Sequence, residues 1–312
     1  MIRRFSATWV YTLTSPPLKN GIVWVDENGV IVDITDTNGR MPELERLEHH
    51  SGIIVPGFVN AHCHLELSHL KGKLRVENGI GGFLSEINLL RNIREEDMLK
   101  AARKADRDMY RKGIVAVGDI FNSSPTISVK CSSPINYFTF IEDLGIGTSY
   151  WEPTIKNSLE SVLPFIVENK KLLIIYNIFI SVSDISTLKK FRKTDNVFIV
   201  LCPNSNLFIE NSLPPVEMLK AEGLNICIGT DSLASNHQLS ILSEMVTLQS
   251  HFPDIELSEL LTWACLIGAK ALEMDDKLGT LEVGKKPGLV LIKGADMKNH
   301  RLTNLSRIVR LI

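Results

Sequence analysis

The feature that most constrains this chain is a rhythm between residues 52 and 272, where short apolar runs without strict alternation are separated by segments of helical period. The runs are GIIVPGFVNAH (52–62), IVAVGDIF (114–121), INYFTFIED (135–143), LLIIYN (172–177), VFIVLCP (197–203) and NICIGTD (225–231). Such runs fit strands buried on both faces, and strands alternating with helices imply a parallel sheet. The helical segments carry their own punctuation. Residues 95–112 place Met98, Ala102, Ala105 and Met109 on one face, and Gly113 follows as a C-cap. Asn157 and Glu160 stand in capping-box positions for a helix at 158–169. Ser183 opens another helix, Pro214-Pro215 precedes one that ends at Gly223, and two more are expected at 238–250 and 257–272. Six βα units result. The pattern alone allows either an open doubly wound sheet or a barrel.

The two ends of the chain read differently. SATWVYTL, GIVWV and VIVDI are short strand candidates, with a hairpin turn at DENG, residues 26–29. LGTLEV, GKKPG and LVLIKG repeat that style at the C-terminus. Neither end holds enough strands for a stable sheet of its own. Residues 1–52 and 279–312 are therefore expected to pack as one small β-domain, with 53–278 as the βα domain.

A chain of 312 residues can bury one large core, or one large core plus a small satellite domain. Its net charge of −2 argues against a general binder of phosphate backbones, so no nucleic-acid partner is expected. No apolar signal segment follows Met1-Ile2-Arg3-Arg4. The longest apolar run, LLIIYNIFISV at 172–182, is too short for a bilayer and carries Asn177 and Ser181. The expectation is a cytoplasmic protein without a membrane partner. Its five scattered cysteines (63, 131, 202, 227 and 265) read as reduced thiols.

Chemistry concentrates in two stretches. In a strand, residues i and i+2 point to the same side, so His62 and His64 converge while Cys63 faces away. Two imidazoles one pleat apart, at the C-terminal end of a strand, suit a metal ion. A bare HxH is more often a chance pair of strand-end histidines; Pro56-Gly57 and Asn60 beside it mark a strand turning sharply into a loop. In GTDSLASN (229–236), Asp231 also ends a strand. Alone it would read as a helix N-cap, and beside the histidine pair it becomes a third ligand or a base.

The stretches VPGFVNAHCHLELSHLKG, LCPNSNLFIENSLPPVEML and GTDSLASNHQLSILSEM, with the closing LGTLEVGKKPGLVLI, resemble the amidohydrolase superfamily. The branch they look most like is that of the cytosine, guanine and aminodeoxyfutalosine deaminases. The resemblance implies an α/β fold, a distorted and incomplete (β/α) TIM-like barrel with a small β-sandwich built from both chain ends. It implies metal ligation by His62, His64 and Asp231, with Asp231 also taking a proton from the attacking water. The metal implied is Zn2+, with Fe2+ and Mn2+ as alternatives that accept the same ligands. The reaction implied is hydrolysis of a non-peptide C–N bond, namely deamination of a small heterocyclic amine.

The chain departs from that pattern in its middle. No histidine occurs between residues 70 and 236, and Tyr176 stands where a family histidine is expected. Two βα units and an HxxE glutamate have no counterpart, so six units stand in place of the eight of a complete barrel. This favours the alternative of a catalytically impaired relative acting as a binding protein. An open barrel edge also makes a homodimer an expectation. Candidates for substrate contact are Glu66, Glu142 and Asn206. Cys202 reads as core before it reads as a soft-metal ligand. His69 and His237 read as structural or surface residues, and His49, His50, His251 and His300 as surface positions.

Overall fold

The structure, a computed structural model, describes residues 1–75, 79–121, 124–141, 170–191 and 193–312. All six apolar runs contain strands, but the first splits in two. β5 (Leu47–Pro56) and β6 (Phe58–Cys63) flank Gly57 and belong to different sheets. A Cβ on Gly57 would lie 2.2 Å from Val115 Cγ1 and 2.6 Å from the Pro287 carbonyl oxygen, so only glycine lets the chain change sheets here.

β6 pairs in parallel with β7 (Ile114–Phe121), and β7 with β8 (Asn136–Ile141). A second parallel set runs β11 (Asn225–Ile228), β10 (Val197–Leu201), β9 (Leu172–Ile175). A parallel bridge from Cys63 to Asp231 joins the two sets. The Thr230 and Asp231 amides reinforce it, both donating to the His62 carbonyl at 3.1 Å. Gly229 permits this approach, since a Cβ there would sit 2.9 Å from His62 Cβ. The combined order is β8-β7-β6-β11-β10-β9, with the first barrel-type strand beside the last, as when a βα series curls into a barrel. Among the described residues β8 and β9 do not pair. Among the described residues the structure therefore shows an arc of six parallel strands that does not close into a barrel. The expected helix at 158–169, with Asn157, Glu160 and Glu142, lies outside the described residues.

Strands of both chain ends share one seven-stranded sheet. β1 (Arg3–Val10), β3 (Ile22–Val25), β4 (Ile31–Thr35), β5, β12 (Leu289–Lys293) and β13 (Arg307–Arg310) run in the order β13-β12-β5-β1-β3-β4, with β2 (Leu18–Lys19) on β1. The long β5 makes this one sheet, because it pairs with β1 on one side and β12 on the other. β4 reaches back to the far end: Ile31 N donates to Lys285 O and Gly284 N to Ile31 O, both at 2.9 Å. The sheet thus curls over a core containing Phe5, Val23, Ile31, Ile54, Leu289 and Leu291. The hairpin turn at Asp26–Gly29 forms as read, with the Asp26 carboxylate accepting from the Asn28 and Val30 amides. The LGTLEV stretch forms no strand. Gly279 turns the chain at φ +87°. The nearby Leu281 amide donates to the Thr12 carbonyl. β13, with arginine at both ends, a half-buried Ile308 and an exposed Val309, gives too weak a pattern to recognise.

The helix Glu95–Arg111 buries Ala102, Ala105 and Met109 and ends before Gly113, whose φ is +79°. Val182–Phe191, Val216–Ala221 and Ile241–His251 form where read. The last helical stretch carries a π turn over Thr262–Ile267. Among the described residues three helices lie outside the sequence expectation: Gly79–Leu90, whose three glycines disguise it; the short Ile127–Ser132; and Pro203–Glu210. Among the described residues no helix is long and apolar enough to cross a membrane. All five cysteines are free thiols.

Candidate metal centre

The pleat of β6 delivers His62 and His64 to one side, their rings edge to face with centroids 4.9 Å apart. Cys63 points into the core, as alternation requires. Across the bridge, Asp231 presents Oδ1 to both rings, 3.7 Å from His62 Nε2 and 3.8 Å from His64 Nε2. One donor atom from each of the three lies within 4.8 Å of the others. Ligands at ~2.0–2.2 Å around a tetrahedral ion sit roughly 3.3–3.6 Å apart. The two histidine–Asp231 separations exceed that by only a few tenths of an ångström, whereas the 4.8 Å that bounds the whole set exceeds it by about 1 Å, so the donor set fits a divalent ion once the ligands draw in around it.

The local backbone aims Asp231. Its φ is +55°, a left-handed conformation that Asp tolerates better than most residues. Asn60 straps the preceding residue, accepting from Thr230 N at 3.0 Å and donating to Thr230 Oγ1 at 2.8 Å. The far carboxylate oxygen, Oδ2, lies 2.7 Å from both the Ser205 and Ser235 hydroxyls. The two serines occupy one oxygen and leave Oδ1 facing the imidazoles. Burial opposes ionisation of Asp231, but the His62 contact, the His64 charge and the Ser205 hydroxyl more than offset it, holding the acid below the usual carboxylate range. Sequence reading missed both serines. Ser205 lies on the unrecognised helix Pro203–Glu210, and Ser235 sits four residues after Asp231 in the same loop.

Burial first, then the neighbouring His62, pushes the His64 pKa down from 6.5 to about 4. Below pH 6.5 the unfolded chain takes up a proton here that the folded chain refuses. Metal-free protein should therefore lose stability as pH falls from 6.5 towards 4. A full shift of that size is worth about 3 kcal/mol, and the 20% exposure of the side chain reduces the expectation to about 1–2 kcal/mol. Glu244, pushed up to about 8 by burial, contributes a slope of opposite sign. The decisive measurement is the difference in pH dependence of the denaturant midpoint between wild type and His64→Ala. A difference that stays flat from pH 6.5 to 4 would refute the assignment.

The remaining candidates scatter around this centre. Glu66 is buried on the 3-10 turn Leu65–Leu70 directly after His64, its Oε1 3.9 Å from Arg91 Nη2. Asn206 is buried on the helix that carries Ser205. Tyr176 takes a left-handed φ of +63° and donates its hydroxyl to Glu210 Oε1 at 2.5 Å. Burial and that hydrogen bond push the phenol far above its ordinary pKa. Cys202 is buried and precedes the helix Pro203–Glu210. His69 is structural, its Nδ1 2.8 Å from the Glu66 carbonyl. His237 and His251 are exposed. His300 is not a free surface residue: it packs on Trp9 at 4.7 Å and meets the Tyr11 hydroxyl at 2.7 Å.

A parallel βα arc with a His-His-Asp donor set at its C-terminal strand edge is the plan of a barrel-type protein with a metal centre. The model of the amidohydrolase family matches residues 149–311, more than half of the chain, and the protein belongs to that family. A 5-methylthioadenosine/S-adenosylhomocysteine deaminase from Moorella thermoacetica is 34% identical over 113 residues, 34% of this chain and 26% of that protein. The match thus spans about a quarter of that relative. An adenosine deaminase from Helicobacter pylori is 22% identical over 355 residues, covering 86% of each chain. An alignment longer than this chain requires insertions in the relative. The fold is also similar to that of an adenosine deaminase from Xanthomonas campestris solved with bound zinc, with a TM-score of 0.71 and 20% identity over 97% of this chain and 87% of that one.

Proposed function

We propose that this protein is a metal-dependent hydrolase of non-peptide C–N bonds that deaminates a small heterocyclic amine. The observation that carries the reading is the convergence of His62, His64 and Asp231 at the ends of β6 and β11. These residues would hold one divalent ion, Zn2+ first among the candidates. A bound ion of that kind supplies Lewis acidity for activating water. The protein's part is to bind and orient. Asp231 Oδ1 is the oxygen left available for ligation and for proton transfer, because Oδ2 is occupied by two serine hydroxyls. Glu66 and Asn206, both buried near the strand ends, are the proposed substrate contacts, with Glu142 as a third. We assign residues 1–52 with 279–312 to the small β-domain and 53–278 to the barrel-type domain, except that 53–56 complete β5 and go with the small β-domain.

A second reading, a catalytically impaired binding protein, draws on one observation. Between residues 70 and 236 the chain has no histidine, and Tyr176 in the place of one is committed to Glu210. The test is metal analysis of the purified protein together with an ammonia-release screen on adenosine, 5′-methylthioadenosine and guanine. Metal-dependent ammonia release from one of them supports the first reading. Bound metal with no release from any of them supports the second.

A further inference from the structure

Glu244 is fully buried in the first turn of the helix Ile241–His251, yet nothing in the chemistry above uses it. Its carboxylate is surrounded by donors from two segments. Asn204 N donates to Oε2 at 2.9 Å, Asn204 Nδ2 to Oε1 at 2.9 Å, and Asn236 Nδ2 to Oε1 at 2.7 Å. The first of these satisfies an orphan amide at the start of the helix Pro203–Glu210, which has no side-chain N-cap of its own. Asn204 is held further by Thr247, whose hydroxyl donates to Asn204 Oδ1 at 2.6 Å. Asn236 also donates to the Thr230 carbonyl at 3.0 Å, one residue before Asp231.

The sequence neighbours of the two asparagines are the two serines on Asp231. Asn204 adjoins Ser205, and Asn236 adjoins Ser235. One buried carboxylate thus ties together the two segments whose hydroxyls meet Asp231 Oδ2, and those hydroxyls lie 2.8 Å apart. We infer that Glu244 is a positioning residue: by clamping Asn204 and Asn236 it places Ser205 and Ser235 on Asp231 Oδ2, and so sets Oδ1 towards His62 and His64 for metal binding. This rests on the metal reading proposed above. Outer partners of metal ligands are commonly worth 10–100-fold in affinity.

The test uses the full chain and Zn2+ alone, with affinity read by competition against a chelator. Glu244→Gln keeps the shape but turns an amide nitrogen against donors, and is expected to weaken Zn2+ binding ~10–100-fold. Asn236→Ala, which removes one arm and spares the helix start, is expected to weaken it less, ~3–10-fold, and serves if Glu244→Gln does not fold. A structural role would lower the melting temperature without moving affinity. The clamp predicts instead that Glu244→Gln and Ser205→Ala are non-additive in Zn2+ affinity, because both act through the same carboxylate oxygen. Unchanged affinity in the folded variants, against a wild type that binds, would overturn this proposal alone. Absence of Zn2+ binding by the wild type would overturn the metal reading and the proposal with it.

Discussion

Replacing Asp231 by asparagine is expected to cut Zn2+ affinity by at least ~100-fold, beyond the ~10–100-fold that loss of a supporting partner costs. The change is isosteric, so the serine contacts on one side of the group and the histidines on the other keep their spacing. What it removes is the negative charge shared between two imidazoles at 3.7 and 3.8 Å. Neutral imidazoles alone leave the full charge of a divalent ion uncompensated in a buried place, where Coulomb terms are far larger than in water. The amide can still accept the serine hydroxyls, so far-UV circular dichroism should be unchanged. Equilibrium dialysis with Zn2+ at neutral pH measures the effect. Affinity within ~3-fold of wild type would show that the ion is held elsewhere and would remove Asp231 from the ligand set.

The histidine pair and Asp231 were legible in the sequence because strand geometry is local. A period of two puts residues 62 and 64 on one side whatever else the chain does. Their meeting was legible only through position, since each ends an apolar run. The six strands were legible for the same reason, their runs being too apolar for any place but a covered sheet. What failed were features set by tertiary contact. The break at Gly57 shows only when Val115 and Pro287 press against it. The helix Pro203–Glu210 takes its N-terminal partner from Glu244, 40 residues away. The seven-stranded sheet depends on β5 pairing on both sides, which local pattern does not encode. Ser205 and Ser235 are ordinary loop and helix-start residues until Asp231 lies 2.7 Å away.

Turnover should be slow. On any deaminase substrate the Zn2+-loaded protein is expected to run below ~0.01 s⁻¹, against a typical enzyme near 10 s⁻¹. Each positioned proton-transfer group contributes ~10²–10⁴-fold, and the described site offers few. Asp231 is held below the usual carboxylate range by the histidines beside it, which makes it a weak base. Tyr176 cannot replace an imidazole near neutrality, because its proton is committed to Glu210 and its pKa is pushed upward. The ligand shell is unevenly supported as well. Asp231 has two serines behind it, whereas His64 Nδ1 is buried and makes no hydrogen bond among the described residues. An unoriented imidazole costs affinity on the same scale as a lost outer partner. The measurement is steady-state ammonia release by metal-loaded protein, with His64→Ala as control. A turnover of ~1 s⁻¹ or more, abolished by that substitution, would show that proton-transfer groups reach the site from outside the set described.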